Sequence, residues 1–205
     1  MYRRLLFLFI LIPFLLGGCM NDPSSNTEAE QVTTRVNAPF ASGAIILEVQ
    51  TDPDLNALQG IANSCTLLVI QAQKASTLNK LLSSPPALKS LFSAAGAQDE
   101  ILKVDRYAAM PGQNTTLHID RSENTRYFAI VAGYYPFPQK QHMALVTVPM
   151  ATENKGWLFS REPAQLIPVT LKIHLGNSSI NEFSGASQVP ISLTNNDVTP
   201  SIKGE

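Results

Sequence analysis

The chain has 205 residues, with 15 Lys and Arg against 16 Asp and Glu, a net charge of −1 and 44% hydrophobic residues. Near-neutral charge without a basic cluster excludes nucleic acid and acidic lipid surfaces as electrostatic partners. The apolar fraction suffices for one core, and the length suits one domain.

The chain opens on Tyr2-Arg3-Arg4, followed by an apolar run from Leu5 to Leu16 and then Gly17-Gly18-Cys19. About twenty apolar residues are needed to cross a bilayer, so this run is too short for a permanent span. A basic flank, a short apolar stretch and small residues before a cut site fit an export signal. Leu16-Gly17-Gly18-Cys19 resembles the lipobox of bacterial lipoproteins. That resemblance implies removal of residues 1–18 as a signal peptide, a diacylglycerol thioether on Cys19, and an N-acyl chain (palmitate or a similar fatty acid). Met20, not Asp, follows Cys19. The expected location is the inner leaflet of the outer membrane, with the domain lipid-anchored and facing the periplasm.

Residues 19–37 are expected to be a lipidated Cys and a flexible polar tether, since Asn21 to Glu30 offers too little apolar surface to fold. A β-sandwich domain is expected over 38–176. Ala44 to Thr51 reads as a strand closed by Asp52-Pro53-Asp54, where the two Asp serve as turn formers and helix caps. Leu67 to Gln73 reads as a strand mostly apolar on both faces, with Cys65 opening the apolar run. Cys65 then has no partner if Cys19 is acylated, and its expected role is a buried small hydrophobe. From about 76 to 97 the period changes: Leu78, Leu81, Leu82, Leu88, Leu91 and Phe92 recur at helical spacing. Ser84-Pro85-Pro86 divides this helical insert in two, and Gly96 offers a stop. Strands follow at Glu100 to Tyr107, Thr115 to Asp120, Arg126 to Tyr135, His142 to Val148 and Val169 to Leu175. The last alternates cleanly, with Val169, Leu171, Ile173 and Leu175 on one face. Short strands with regular turn signals read as an antiparallel sandwich. Residues 177–205 are expected to be a C-terminal extension, with an edge strand near Val189 to Leu193 and then a frayed tail.

No catalytic residues are expected. The chain lacks a Gly-x-Ser-x-Gly elbow. His118, His142 and His174 read as outward-facing strand residues, and His118 with Asp120 as an exposed polar pair rather than a base and its orienter. Three His at wide intervals form no zinc motif, and Asp52 with Asp54 lacks the Gly and distal Glu of a calcium loop. No metal, no cofactor beyond the Cys19 lipid, and no small-molecule substrate are expected.

The order of motifs carries a further resemblance. A lipobox and polar tether precede a strand ending in Asp54-Leu55-Asn56. Cys65-Thr66-Leu67-Leu68-Val69, a short helical stretch, Met110-Pro111-Gly112 and Arg126-Tyr127-Phe128-Ala129-Ile130-Val131-Ala132 follow. Over about Ala44 to Leu175 the chain resembles the outer-membrane lipoprotein of the type VI secretion system, the TssJ, VasD or SciN type. The Trp-Arg pair usual in that family is missing; His142-Met143 stands in the comparable region, and Trp157 lies later. The resemblance implies a mainly β, transthyretin-like sandwich with a helical addition. It also implies a non-enzymatic role, tethering the periplasmic C-terminal domain of the large inner-membrane TssM-type subunit within a membrane complex. The loop between the first two strands would carry that contact. Here it is 52–64, where Leu55, Leu58 and Ile61 sit at about helical spacing with Asp54, Asn56 and Gln59 between them. Apolar anchors within a polar rim suit an interface centre. The alternative role is a binding or assembly module of another envelope machine.

Overall fold

The structure, a computed structural model, describes residues 36–93, 99–151 and 165–192. Cys19, the leader, the tether before Val36, Gly96, Trp157 and the tail from 193 lie outside the described residues. Eleven strands and two short α-helices are described: β1 (Ala41–Thr51), β2 (Cys65–Ala72), α1 (Ala75–Leu82), α2 (Pro85–Phe92), β3 (Ile101–Ala109), β4 (Asn114–Arg121), β5 (Tyr127–Ala132), β6 (Met143–Thr147), β7 (Met150–Ala151), β8 (Gln165–Leu166), β9 (Val169–Leu175), β10 (Ile180–Ser184) and β11 (Gln188–Val189). Among the described residues, no helix is long and apolar enough to cross a membrane.

Two sheets face each other. One has the order β10-β9-β1-β4, the other β11-β6-β5-β2-β3, and β7 with β8 forms a small ribbon. The pairing is antiparallel except between β1 and β9, which run parallel from Ile45↔Val169 to Thr51↔Leu175. The sandwich is thus mainly, not wholly, antiparallel. Between β1 and β9 the chain threads β2, β3, β5 and β6 of the second sheet and re-enters from the end where β1 began, which fixes the shared direction. Past residue 176 the chain does not simply trail off: β10 joins the first sheet beside β9, and β11 joins the second beside β6.

The inter-sheet core holds Ile45, Leu47 and Val49 of β1, Leu67 and Val69 of β2, Phe128 and Ile130 of β5, and Leu171, Ile173 and Leu175 of β9. A second core lies on the other side of the five-stranded sheet. There Leu68, Ile70, Ala129, Val131 and Leu145 meet Leu78, Leu81 and Leu82 of α1 and Leu88 and Leu91 of α2. This layering explains the sequence patterns. Strands β2 and β5 are covered on both faces and read as unbroken apolar runs, whereas β9 has one wet face and alternates. Pro85 opens α2 in its first turn, where a missing N–H costs nothing.

A strap of residues 36–40 closes one end of the sandwich. The Asn124 N–H donates to the Ala38 carbonyl at 2.7 Å, Arg121 Nη2 to the Pro39 carbonyl at 3.1 Å, and Arg126 Nη2 to the Val36 carbonyl. Both arginines are buried. Beside them, buried Gln71 accepts from the Ser122 N–H and the Thr125 hydroxyl and donates to the Asp120 carbonyl, each at 2.9 Å. The turn between β4 and β5 is thereby fixed, and with it the place where the chain enters the domain.

After β10 the chain crosses from one sheet to the other at Gly185. Its φ is +99°, and a Cβ there would stand 2.3 Å from the Thr170 carbonyl oxygen. Gly185→Ala therefore meets both a left-handed backbone and a backbone clash. Destabilisation by at least about 2 kcal/mol is expected, read as a lower urea midpoint at unchanged slope.

Candidate functional site at the loop end of the sandwich

Opposite the strap, four connections gather at one end: β1 to β2, β3 to β4, β5 to β6 and β9 to β10. The first, 52–64, is tightly tied. The Leu55 N–H donates to the Asp52 carbonyl at 3.1 Å, and the Asn63 N–H to the Leu55 carbonyl at 2.9 Å. Leu58 and Ile61 exchange backbone hydrogen bonds of 2.9 and 3.0 Å around Gln59 and Gly60, whose φ values are +53° and +78°. Positive φ at both central residues is the two-residue hairpin geometry that fits the strand twist. Directly opposed residues project to the same face, so Leu58 and Ile61 stand side by side. They are 45% and 69% exposed.

Asparagines hold this hairpin in place. Asn56, itself left-handed at φ +48°, donates from Nδ2 to the Ser64 carbonyl at 3.1 Å. Its Oδ1 accepts from the Tyr135 N–H at 2.9 Å, binding the first loop to the β5–β6 loop. Asn63 Nδ2 donates to the Ile61 carbonyl at 2.8 Å. Asp54 Oδ2 accepts from Asn177 Nδ2 at 2.9 Å, and Asp52 Oδ1 lies 2.6 Å from His174 Nε2. The Thr51 hydroxyl donates to the Met110 carbonyl at 2.6 Å, drawing in the β3–β4 turn. Tyr135, 66% exposed, and the exposed Met110 join Leu58 and Ile61 as large apolar side chains on three loops of one end.

Beneath them Tyr134 and His142 pack ring to ring, with centroids 4.5 Å apart. The Tyr134 hydroxyl reaches the Gly176 and Ser179 carbonyls at 3.0 and 2.8 Å. Burial pushes its phenol pKa up, with nearby Cys65 and Asp52 adding to the rise. His142 Nδ1 accepts from the Gln139 N–H, and Nε2 faces the Ser178 carbonyl, both at 2.8 Å. Two backbone partners of opposite kind lock one neutral tautomer, since the cation would leave the Gln139 N–H facing a donor. Burial lowers the His142 pKa, only partly offset by the bond to Ser178. A pKa depressed in the folded state means that the unfolded chain binds more protons below its ordinary value near 6.5. The domain should lose stability as pH falls from about 6.5 toward the lowered folded value. His142→Gln should flatten that part of the acid limb, measured by urea unfolding between pH 7 and 5.

Several sequence expectations change here. The loop 52–64 is not helical, and Leu55 is fully buried in the inter-sheet core. It props the loop from inside and offers no side chain to a partner; periodicity alone could not separate it from Leu58 and Ile61. Asp52 and Asp54 cap no helix but tie the loop to β9 and to the β9–β10 turn. His142 is buried rather than outward, because it belongs to the short turn of helix Lys140–His142 just before β6. His118 and Asp120 do not work as a pair: Asp120 accepts from the Ser42 hydroxyl and the Gly43 N–H at 2.8 Å each, which hold its carboxyl below the usual range. Cys65 is buried, and burial pushes its thiol up to about 12, leaving it protonated and inert. Among the described residues, no group of three or more His, Cys, Asp or Glu could hold a metal. Met110, Tyr135 and the ties made by Asn63 and His174 were not signalled by the sequence. Gln59-Gly60 is the one sequence signal from which the hairpin turn could have been read.

Residues 44–178 match the family model of type VI secretion lipoproteins (VasD, EvfM, TssJ). The chain belongs to this family. Among solved structures, this type VI secretion lipoprotein is similar to the lipoprotein TssJ1 from Pseudomonas aeruginosa, with 18% identity over 75% of this chain and 99% of that one and a TM-score of 0.45. It is also similar to Serratia marcescens Lip, a membrane-bound component of the type VI secretion system, with 20% identity over 72% and 98% and a TM-score of 0.49. A structure described as the TssM C-terminal domain from EAEC matches with 12% identity over 72% and 98% and a TM-score of 0.47. No curated protein matches the chain. The family match begins within β1 and stops at 178, just short of β10.

Proposed function

We propose that this lipoprotein hangs by acyl chains on Cys19 from the inner leaflet of the outer membrane. From there it holds the periplasmic C-terminal domain of the TssM-type inner-membrane subunit with its loop end. The observation that carries the reading is the rigid hairpin that keeps Leu58 and Ile61 in solvent. An apolar pair held out by a fixed backbone costs little entropy to dock. Tyr135 and Met110 extend the apolar centre, while Asp54, Asn56 and Gln59 supply a polar rim. Leu55 is withdrawn from the contact set and serves as a prop. The role needs no catalysis and no cofactor apart from the covalent lipid. Residues 1–18 are removed, and 19–37 are the lipidated Cys and tether, whose last two residues, Val36 and Asn37, already run in the strap. Confinement beside the partner raises effective concentration, so modest affinity per copy suffices.

The test is purification of the acylated protein from solubilised envelopes, with the co-purifying chains identified. Recovery of the TssM-type subunit supports the reading; its absence from a preparation that retains lipid removes it.

A further inference from the structure

We propose that the strap end of the sandwich rests on the bilayer, with Phe40, Met150 and Ile167 dipping into the leaflet that holds the Cys19 lipid. This rests on the anchoring proposed above. All three side chains are exposed. Exposed apolar residues scattered singly are ordinary and call for no explanation. These three are not placed at random.

Phe40 directly precedes β1, on the strap that leads back toward Cys19. Phe40 is 60% exposed, and the strap before it is held where Arg121 and Asn124 donate to the carbonyls of Pro39 and Ala38. Met150 and Ile167 sit on the β7–β8 ribbon. Met150 pairs with Leu166, and the Ile167 N–H donates to the Pro149 carbonyl at 3.0 Å. Ile167 comes two residues before Val169, which is level with Ile45 near the start of β1. The ribbon and the strap therefore share one end of the domain, opposite the Leu58–Ile61 hairpin.

The chain before Val36 decides the occupant. The length of chain from Cys19 to Val36 would span about 20–25 Å as a coil. That length keeps the strap end within reach of the headgroups, while the loop end faces away. Apolar side chains at such a depth enter the boundary between headgroups and acyl chains. Because the lipid already holds the domain there, a contact too weak to bind alone still orients it.

The experiment uses the full acylated protein in phosphatidylethanolamine–phosphatidylglycerol vesicles. Phe40→Cys, Met150→Cys and Ile167→Cys are each spin-labelled, with Leu58→Cys and Ile61→Cys as controls. Cys19 is blocked by its lipid and the buried Cys65 stays unlabelled. Collision with lipid-soluble oxygen is compared with collision with a water-soluble nickel chelate. The oxygen-to-nickel ratio is expected to be several-fold higher at the three strap-end positions than at the two controls. Labels open to nickel at all five positions, on protein that floats with the vesicles, would overturn the proposal. Strap-end labels shielded from both agents would also overturn it, because they mark a protein contact instead of lipid. Protein that fails to float with the vesicles contradicts the anchoring itself, which separates the two failures. The three labels report independently, so one misfolded variant does not empty the test.

Discussion

Leu58→Asp combined with Ile61→Asp should weaken binding to the TssM-type domain more than a hundredfold and leave the fold intact. Central interface side chains commonly contribute 2 kcal/mol or more each when truncated. Two together, discounted for non-additivity, give about 3 kcal/mol, which is over a hundredfold in Kd. A carboxylate placed against an apolar partner surface adds its own desolvation cost. Neither side chain is part of either core, and both are exposed, so the urea midpoint should move little. Titration calorimetry with the purified partner domain measures the affinity. Full affinity in a folded double variant would show that the hairpin is not the contact. Leu55→Ala serves as the contrast. It should cost about 2–5 kcal/mol of stability through a core cavity, and affect binding only by loosening the loop it supports.

Cys19→Ser should abolish anchorage in the outer membrane. One acyl chain gives marginal, reversible binding, whereas two or three chains at about 0.8 kcal/mol per buried CH₂ give a hold that does not release. Without the sulfur no thioether forms. The apolar run from Leu5 to Leu16 is too short to span a bilayer and cannot replace the anchor. Mass spectrometry of the amino-terminal peptide should show diacylglycerol and N-acyl mass on the native protein and none on the variant. Density fractionation should show the variant missing from the outer-membrane band. A native protein without acyl mass would remove the tether reading altogether.

The fold was legible where burial imposes a period. Strand β9 alternates because one face is wet, and its limits were read as they stand, Val169–Leu175. The run of β2 read as apolar on both faces, and in the fold the leucines of α1 and α2 cover its second face. Strand β10 escaped notice because Ile180-Asn181-Glu182-Phe183-Ser184 is an edge strand with little to bury. The candidate site was half legible. Its loop was found through a family resemblance, but the division of labour between Leu55, Leu58 and Ile61 was not. That division depends on two left-handed residues at Gln59 and Gly60, and a side-chain period carries no record of backbone sign. The contributions of Tyr135 and Met110 come from loops distant in sequence, which only the folded sheets bring together.

Strand β1 has the strap at its start and the Leu58–Ile61 loop at its finish. Between them, Ile45 to Gln50 is bonded to β4 on one side and to β9 on the other. With the anchoring and docking proposed above, a pull between lipid and partner would run lengthwise along a single central strand. Both ladders are loaded in shear, so many hydrogen bonds resist at once and none can be unzipped in turn. A force along that line would strain this strand along its strongest axis.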